Sequence, residues 1–304
     1  MHFKMVSYAD NFEDVLLRRA FPDLNDGFYI DVGAYDPVDH SVTQHFYEGG
    51  WRGINIEPNP VPFAKIQAVR QRDINLNIGV SNHEGHLTLY EAPNACWSVD
   101  RNLLTGYFGA QADQIVEKHI PVLTLAQICD QHVPAGRSIE FLKIDVEGHE
   151  AEVIQGGDWS RWRPRVIVAE SNGSEAWEPT LLAADYHFAI FEGVNKFYVR
   201  GEDRHLLARL NAPANPSDRF LIYGYLRRIN ELERQLNHYQ QVEQSVLNNC
   251  QELEQSLSKT EKSLSQYDDL SPMALSFARR LVRTARRHPR AASIARKIAR
   301  RLGA

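Results

Sequence analysis

Three carboxylates stand at or just beyond the ends of three short apolar runs. They are Asp31 in Phe28-Tyr-Ile-Asp-Val32, Glu57 after Gly53-Ile-Asn-Ile56, and Asp145 after Phe141-Leu-Lys-Ile144. An acid at the carboxyl end of a buried strand is well placed to receive ribose hydroxyls or an ammonium group. The first run turns through Gly33-Ala34, small residues that let backbone approach a ligand closely, and Glu57 follows Gly33 by 24 residues. This pattern is that of a nucleoside-binding sheet.

The neighbouring residues bear on which nucleoside is bound. A nicotinamide dinucleotide needs the G-x-G-x-x-G turn facing its pyrophosphate, whereas here Gly33 is followed by Ala34 and Asp36. A carboxylate beside phosphates is repulsive. S-adenosylmethionine carries an ammonium and a sulfonium and no phosphate, so Asp31 suits its amino-acid end. The pair Asp31 and Glu57 alone leaves open a second reading, ordinary parallel strands ending in solvated acids. The third run weighs against it, because Asp145 leads directly into a helical stretch, Glu150-Ala-Glu-Val-Ile-Gln-Gly-Gly157.

At this point the chain resembles the FkbM family of methyltransferases. The matching pieces are Ser7-Tyr-Ala-Asp-Asn-Phe-Glu-Asp14, Asp31-Val-Gly-Ala34, Asp39-His-Ser-Val-Thr43, Gly50-Trp-Arg-Gly-Ile-Asn-Ile-Glu-Pro58, Asn77-Ile-Gly-Val-Ser81 and Lys143-Ile-Asp-Val-Glu-Gly-His-Glu150. They span roughly residues 5–200. The resemblance implies an α/β fold, a class I methyltransferase-like (Rossmann-like), mostly parallel sheet with helices on both faces. It also implies S-adenosylmethionine as cofactor and, usually, methyl transfer to a hydroxyl oxygen. By position, Asp31, Gly33 and Ala34 are expected at the methionine end, Glu57 at the ribose, Gly79, Val80 and Ser81 on the adenine side, and Asp145 near the methyl group.

Transfer from a sulfonium is an in-line displacement, so the acceptor must be aligned and its proton removed. Asp145, Glu147 and His149 are the catalytic candidates, His149 as the base because an imidazole titrates near neutrality. Glu147 and Glu150 equally suit the first turn of a helix, where exposed amides favour negative charge. Asp145, Glu170 and Asn172 also end neighbouring strands and offer hard oxygens to Mg²⁺, which would acidify an acceptor hydroxyl.

These residues need a sheet to hold them, and 304 residues with 43% hydrophobic content suffice for one α/β domain with extensions. Domain boundaries are expected at 1–210 for the cofactor-binding domain, 211–219 for a linker, 220–268 for a coiled coil and 269–304 for a basic tail. Within the domain, Phe188–Phe191 and Lys196–Val199 predict an antiparallel pair, and Ala92–Val116 is a long connection without a clean period. The coiled coil rests on two rows spaced by sevens, Ile222, Ile229, Leu236, Glu243, Cys250, Leu257 and Leu264 in one and Tyr225, Leu232, Tyr239, Val246, Leu253, Thr260 and Tyr267 in the other, of which only Glu243 and Thr260 are plainly polar. It predicts a homo-oligomer, with a dimer preferred. A solitary helix folded on the domain is the alternative.

Three widely spaced cysteines argue against a disulfide framework or structural zinc, and no stretch reads as a signal peptide or a spanning helix. A cytoplasmic location follows as the expectation. From Leu270 onward there are ten Lys and Arg and no acid; subtracting these from the net −5 leaves −15 for residues 1–269. An acidic body argues against broad nucleic-acid binding, while the basic tail asks for an anionic partner, a membrane's inner face or an acidic protein, unless it is simply solvated. The expected activity is O-methylation of a sugar hydroxyl in surface polysaccharide assembly, with small metabolites as other acceptors. A coiled-coil scaffold whose domain binds cofactor without turnover is the reading from another class.

Overall fold

The computed structural model describes residues 5–93, 96–99, 101–171, 173, 175–265 and 272–287. In chain order the first half gives β1 (Met5–Ser7), α1 (Glu13–Ala20), β2 (Phe28–Val32), α2 (Gln44–Glu48), β3 (Arg52–Ile56), α3 (Pro60–Val69) and β4 (Ile74–Leu76). Next come β5 (Gly79–Ser81), β6 (Gly85–Ala92), β7 (Cys96–Ser98), α4 (Arg101–Phe108) and β8 (Val116–Thr124). Helices and strands then alternate through α5 (Leu125–His132), β9 (Phe141–Ile144), α6 (Glu150–Gln155), β10 (Val166–Glu170) and α7 (Glu178–Ala183). The hairpin β11 (Tyr186–Phe191) and β12 (Asn195–Arg200) is followed by β13 (Phe220–Ile222), α8 (Tyr223–Ser265) and α9 (Pro272–Arg287).

Seven strands form the central sheet in the order β11-β12-β10-β9-β2-β3-β4, and from β10 to β4 all neighbours are parallel. The expectation of one mostly parallel sheet needs correcting, because the sheets are mixed. β12 runs against β10 and β11, and a further sheet, β5-β8-β6-β7, is parallel only between β5 and β8. Short connections such as those joining β11 to β12 and β6 to β7 allow only antiparallel neighbours. The stretch read as a long connection holds β7, α4 and a 3₁₀ turn, Gly109–Gln114.

Side chains alternate across each central strand, and the two faces bury different sets. Ile30, Val32, Ile54, Ile56, Leu142 and Ile144 pack on one face with Ile128 of α5, Val153 and Ile154 of α6 and Leu181 of α7. Tyr29 and Phe141 pack on the other with Leu16 and Leu17 of α1 and Phe46 of α2. Each such side chain removed from water contributes about 1.5–3 kcal/mol. Asp31 and Lys143 share the parity of Tyr29 and Phe141, so the same alternation sends them to the aromatic face.

The region after residue 210 is tied to the domain before the long helix begins. Arg19 bonds both carboxylate oxygens of Asp218, at 2.9 and 2.6 Å, and the carbonyls of Ala212 and Pro213. β13 pairs in parallel with β1, and the first compact unit runs to Leu226. Ile222, the first position of the predicted heptads, is therefore in a strand. α8 is one helix of 43 residues; positions 266–268 lie outside the described residues. Among the described residues no helix is long and apolar enough to cross a membrane.

Candidate functional site

β2 is where the strand order reverses: the chain proceeds from it to β3 and β4 on one side, and β9 and β10 lie on the other. At such a point the loops leaving neighbouring strands diverge and open a crevice beyond their carboxyl ends. A cavity of about 550 Å³ lies there, within the range of small-molecule sites. Asp31, Gly33, Ala34, Glu57, Gly79, Val80, Asp145, Glu147, His149 and Glu170 line it, which brings nearly all the sequence-predicted site residues together. Ser81 is not in the wall, and Asn172 lies outside the described residues.

The floor is built by register. Asp31 is the cross-strand partner of Lys143, whose ammonium lies 3.6 Å from Asp31 Oδ1, 3.2 Å from Asp145 Oδ2 and 2.9 Å from the Gly33 carbonyl to which it donates. Burial opposes the Lys143 charge, yet the Asp145 and Asp31 carboxylates outweigh it and hold the ammonium above its usual range. Asp31 is 2% exposed; burial raises its carboxyl despite Lys143 and a hydrogen bond from the Thr43 hydroxyl at 3.1 Å. The buried Arg70 holds this corner by donating to the Pro37 carbonyl, Ser41 and Thr43. Among the described residues Asp31 Oδ1 has no hydrogen bond, only the Lys143 ammonium 3.6 Å away, which leaves it an acceptor of the kind an ammonium-bearing ligand would satisfy. Lys143 was not among the predicted site residues. Its signal in the sequence was a lysine inside an otherwise apolar central strand.

Beside the floor the chain makes a tight turn. Gly33 has φ +83°, and a Cβ there would fall 1.8 Å from the Asp145 carbonyl oxygen. The Gly33 and Ala34 amides both donate to the Ile56 carbonyl, which draws the β2 and β3 ends together. Glu57 closes the arrangement: Oε2 accepts from the Tyr35 amide at 2.9 Å and Oε1 from the Asn59 amide at 2.8 Å. Burial raises its carboxyl while those two amides favour the charge. Asp36 turns on its own loop, accepting from the Val38 and Asp39 amides and pairing with Lys65.

The opposite wall comes from the four-stranded sheet, which the sequence reading did not foresee. Leu87 and Leu89 of β6, Trp97 of β7, Val99 and Ile120 of β8 add an apolar surface next to Gly79 and Val80. Ser81 faces His149, with 3.1 Å between its hydroxyl and Nε2, while Nδ1 lies 3.4 Å from Glu152. Protonation on Nδ1 leaves Nε2 accepting from Ser81. Burial lowers the His149 pKa despite the two nearby glutamates, and taking an acceptor's proton would first require breaking the Ser81 contact.

The remaining wall is acidic. Glu147 adopts φ +55°, and Glu150 secures its loop by accepting from the Val146 and Gly148 amides. Burial and then the neighbouring Asp145 raise the Glu147 carboxyl, and burial with Asp145, Glu147 and Glu150 pushes Glu170 up to about 8. Among the described residues no group of three or more His, Cys, Asp or Glu is arranged to hold a metal ion. Glu13, Asn195, Asp10 and His40 complete this end, and they too were absent from the predicted set.

The site is a crevice of apolar and acidic side chains at the point where the strand order of an open α/β sheet reverses, the place where ligands of such sheets bind. The family model described as Methyltransferase FkbM domain matches residues 31–200, more than half of the chain. The chain belongs to the FkbM methyltransferase family. No curated protein matches it.

Proposed function

We propose that the protein is an S-adenosylmethionine-dependent O-methyltransferase acting on a sugar hydroxyl in surface glycan assembly. The observation that carries the cofactor assignment is Glu57, a buried carboxylate fixed by two backbone amides at the end of β3 beside the Gly33 turn. Its free lone pairs would receive the ribose hydroxyls. Asp31 Oδ1 would accept from the amino group, and Leu89, Trp97 and Ile120 would cover the base and exclude water. Bound S-adenosylmethionine would supply a methyl group activated by the sulfonium. The glycan acceptor rests on the family resemblance alone. Glu57→Ala should lose roughly 1.5–3 kcal/mol per charged hydrogen bond, at least tenfold in affinity by calorimetric titration with S-adenosylmethionine. Equal affinities for variant and wild type would remove Glu57 from the ribose.

The same reading makes the protein a homodimer through α8 and a peripheral ligand of anionic membranes at the cytoplasmic face. Ile229, Leu232, Leu236, Tyr239 and Val246 are all exposed on the single chain, an apolar stripe that a second helix would cover. The described part of the tail, α9, carries Arg279, Arg280, Arg283, Arg286 and Arg287 without an acid, and Met273 and Phe277 are exposed on it. Light scattering should give a dimer for the full chain and a monomer for Leu232→Glu with Leu236→Glu. Flotation on phosphatidylglycerol vesicles at low salt should need residues 271–304. A monomeric wild type at micromolar concentration contradicts the first claim, and undiminished flotation after deletion contradicts the second.

A further inference from the structure

Nine carboxyl groups among the described residues line the cavity, against one lysine. Lys143 is already shared between Asp31 and Asp145. Carboxyls crowded in a poorly solvated site cannot all ionise together, and some retain protons.

Glu13 stands apart from the others in how it is held. It opens α1 at the cavity wall, is 6% exposed, and is fixed by amides rather than by a cation. The Asn195 side chain donates to Oε1 at 2.7 Å, and the Asn11 backbone amide to Oε2 at 3.0 Å. The Asn195 amide also donates to Glu192, so that two carboxyls meet at one donor. Charged groups acting on Glu13 include Asp14 on its own helix, Glu192 before β12 and Lys143 of β9, whose ammonium feels the Glu13 charge; Glu170 pairs across the sheet with Asn195, the side chain that donates to Glu13. Burial, with Glu192 and Asp14, outweighs the backbone hydrogen bonds and pushes the Glu13 carboxyl up to about 7. It lies in the same cavity as the proposed donor site.

We infer that Glu13 exchanges its proton for the positive charge of a cationic methyl donor, so that a proton-accepting carboxylate faces the acceptor only while a methyl group is available. This rests on the proposed function. The balance closes over one turnover: an acceptor oxygen lone pair forms the new C–O bond, the C–S pair leaves with sulfur, and the hydroxyl proton passes to a Glu13 oxygen. The sulfonium charge disappears in the same step, so Glu13 keeps the proton once its reason for ionising has gone. The charge of the cavity with its ligands is constant throughout.

The exchange is measurable without an acceptor. The full chain is titrated at pH 7 in phosphate and in Tris, whose ionisation enthalpies differ, with S-adenosylmethionine, with sinefungin (an amine in place of the sulfonium) and with S-adenosylhomocysteine. The two cationic ligands should each release protons, of which Glu13 contributes up to about half a proton, since a group titrating near 7 is half protonated there, and Glu170 contributes the rest. S-adenosylhomocysteine should release markedly less, and Glu13→Gln should reduce the release by the two cationic ligands by up to about half a proton. Equal proton release by the three ligands on the wild type overturns the inference whether or not the variant folds, as does release undiminished in a Glu13→Gln protein that still binds. Failure of S-adenosylhomocysteine to bind the wild type would instead count against the cofactor assignment itself.

Discussion

Lys143→Met is expected to destabilise the protein by about 3–5 kcal/mol, because it removes the cation facing a fully buried carboxylate. Asp31 would keep the Thr43 hydrogen bond but lose its ion pair, and Asp145 would lose its partner as well. Out of a typical stability of 5–15 kcal/mol this is a large fraction. Urea unfolding measures it directly. Adding Asp31→Asn should recover part of the loss, since removing both charges is milder than stranding one. A single variant within about 1 kcal/mol of wild type would mean that Asp31 is not held as described.

Gly33→Ala should cost nearly as much and also abolish cofactor binding. A residue with a Cβ at φ +83° is strained by roughly 1–3 kcal/mol. The new methyl carbon would also fall 1.8 Å from the Asp145 carbonyl oxygen, and overpacking of that kind typically costs 1–3 kcal/mol more. The ends of β2 and β9 would have to part. Gly136→Ala supplies the comparison: its φ is +73°, but among the described residues nothing lies within 4 Å of the added carbon. Thermal melts of the two variants separate backbone strain from collision. Similar melting losses, with S-adenosylmethionine binding intact in both, would dismiss the close approach at Gly33 as a functional constraint.

Asp31, Glu57 and Asp145 were legible because strands buried on both faces read as continuous apolar runs, and the polar residues at or after their ends stand out. Glu57 could be located but not understood from sequence. Its two amide partners, Tyr35 and Asn59, come from two different turns that only the fold brings together. The second sheet escaped notice for a local reason: Val-Glu-Lys-His-Ile-Pro-Val-Leu-Thr over β8 carries three charged or titratable residues and a proline. Its pairing with β6 supplies the order that the composition hides. His149 looked free to act as a base because its contact with Ser81 depends on β5 passing beside α6, although Glu152, three residues on, was within reach of the local sequence. Glu13 was part of a recognised motif, yet nothing in the local sequence says that α1 delivers it to the cavity.

The pairing of β1 with β13 also bears on how the chain is made. Met5 meets Phe220, so the first strand emerges from the ribosome about 215 residues before its partner. At ~5–20 residues per second that delay is on the order of 10–40 s. Throughout it the edge of β1 stays without its strand and open to other chains. Nascent protein should therefore be most exposed to mispairing late in translation, just before α8 is synthesised. A premature stop near residue 210 would leave that edge open permanently, so that the shortened product's weakness would lie in its assembly rather than in its chemistry.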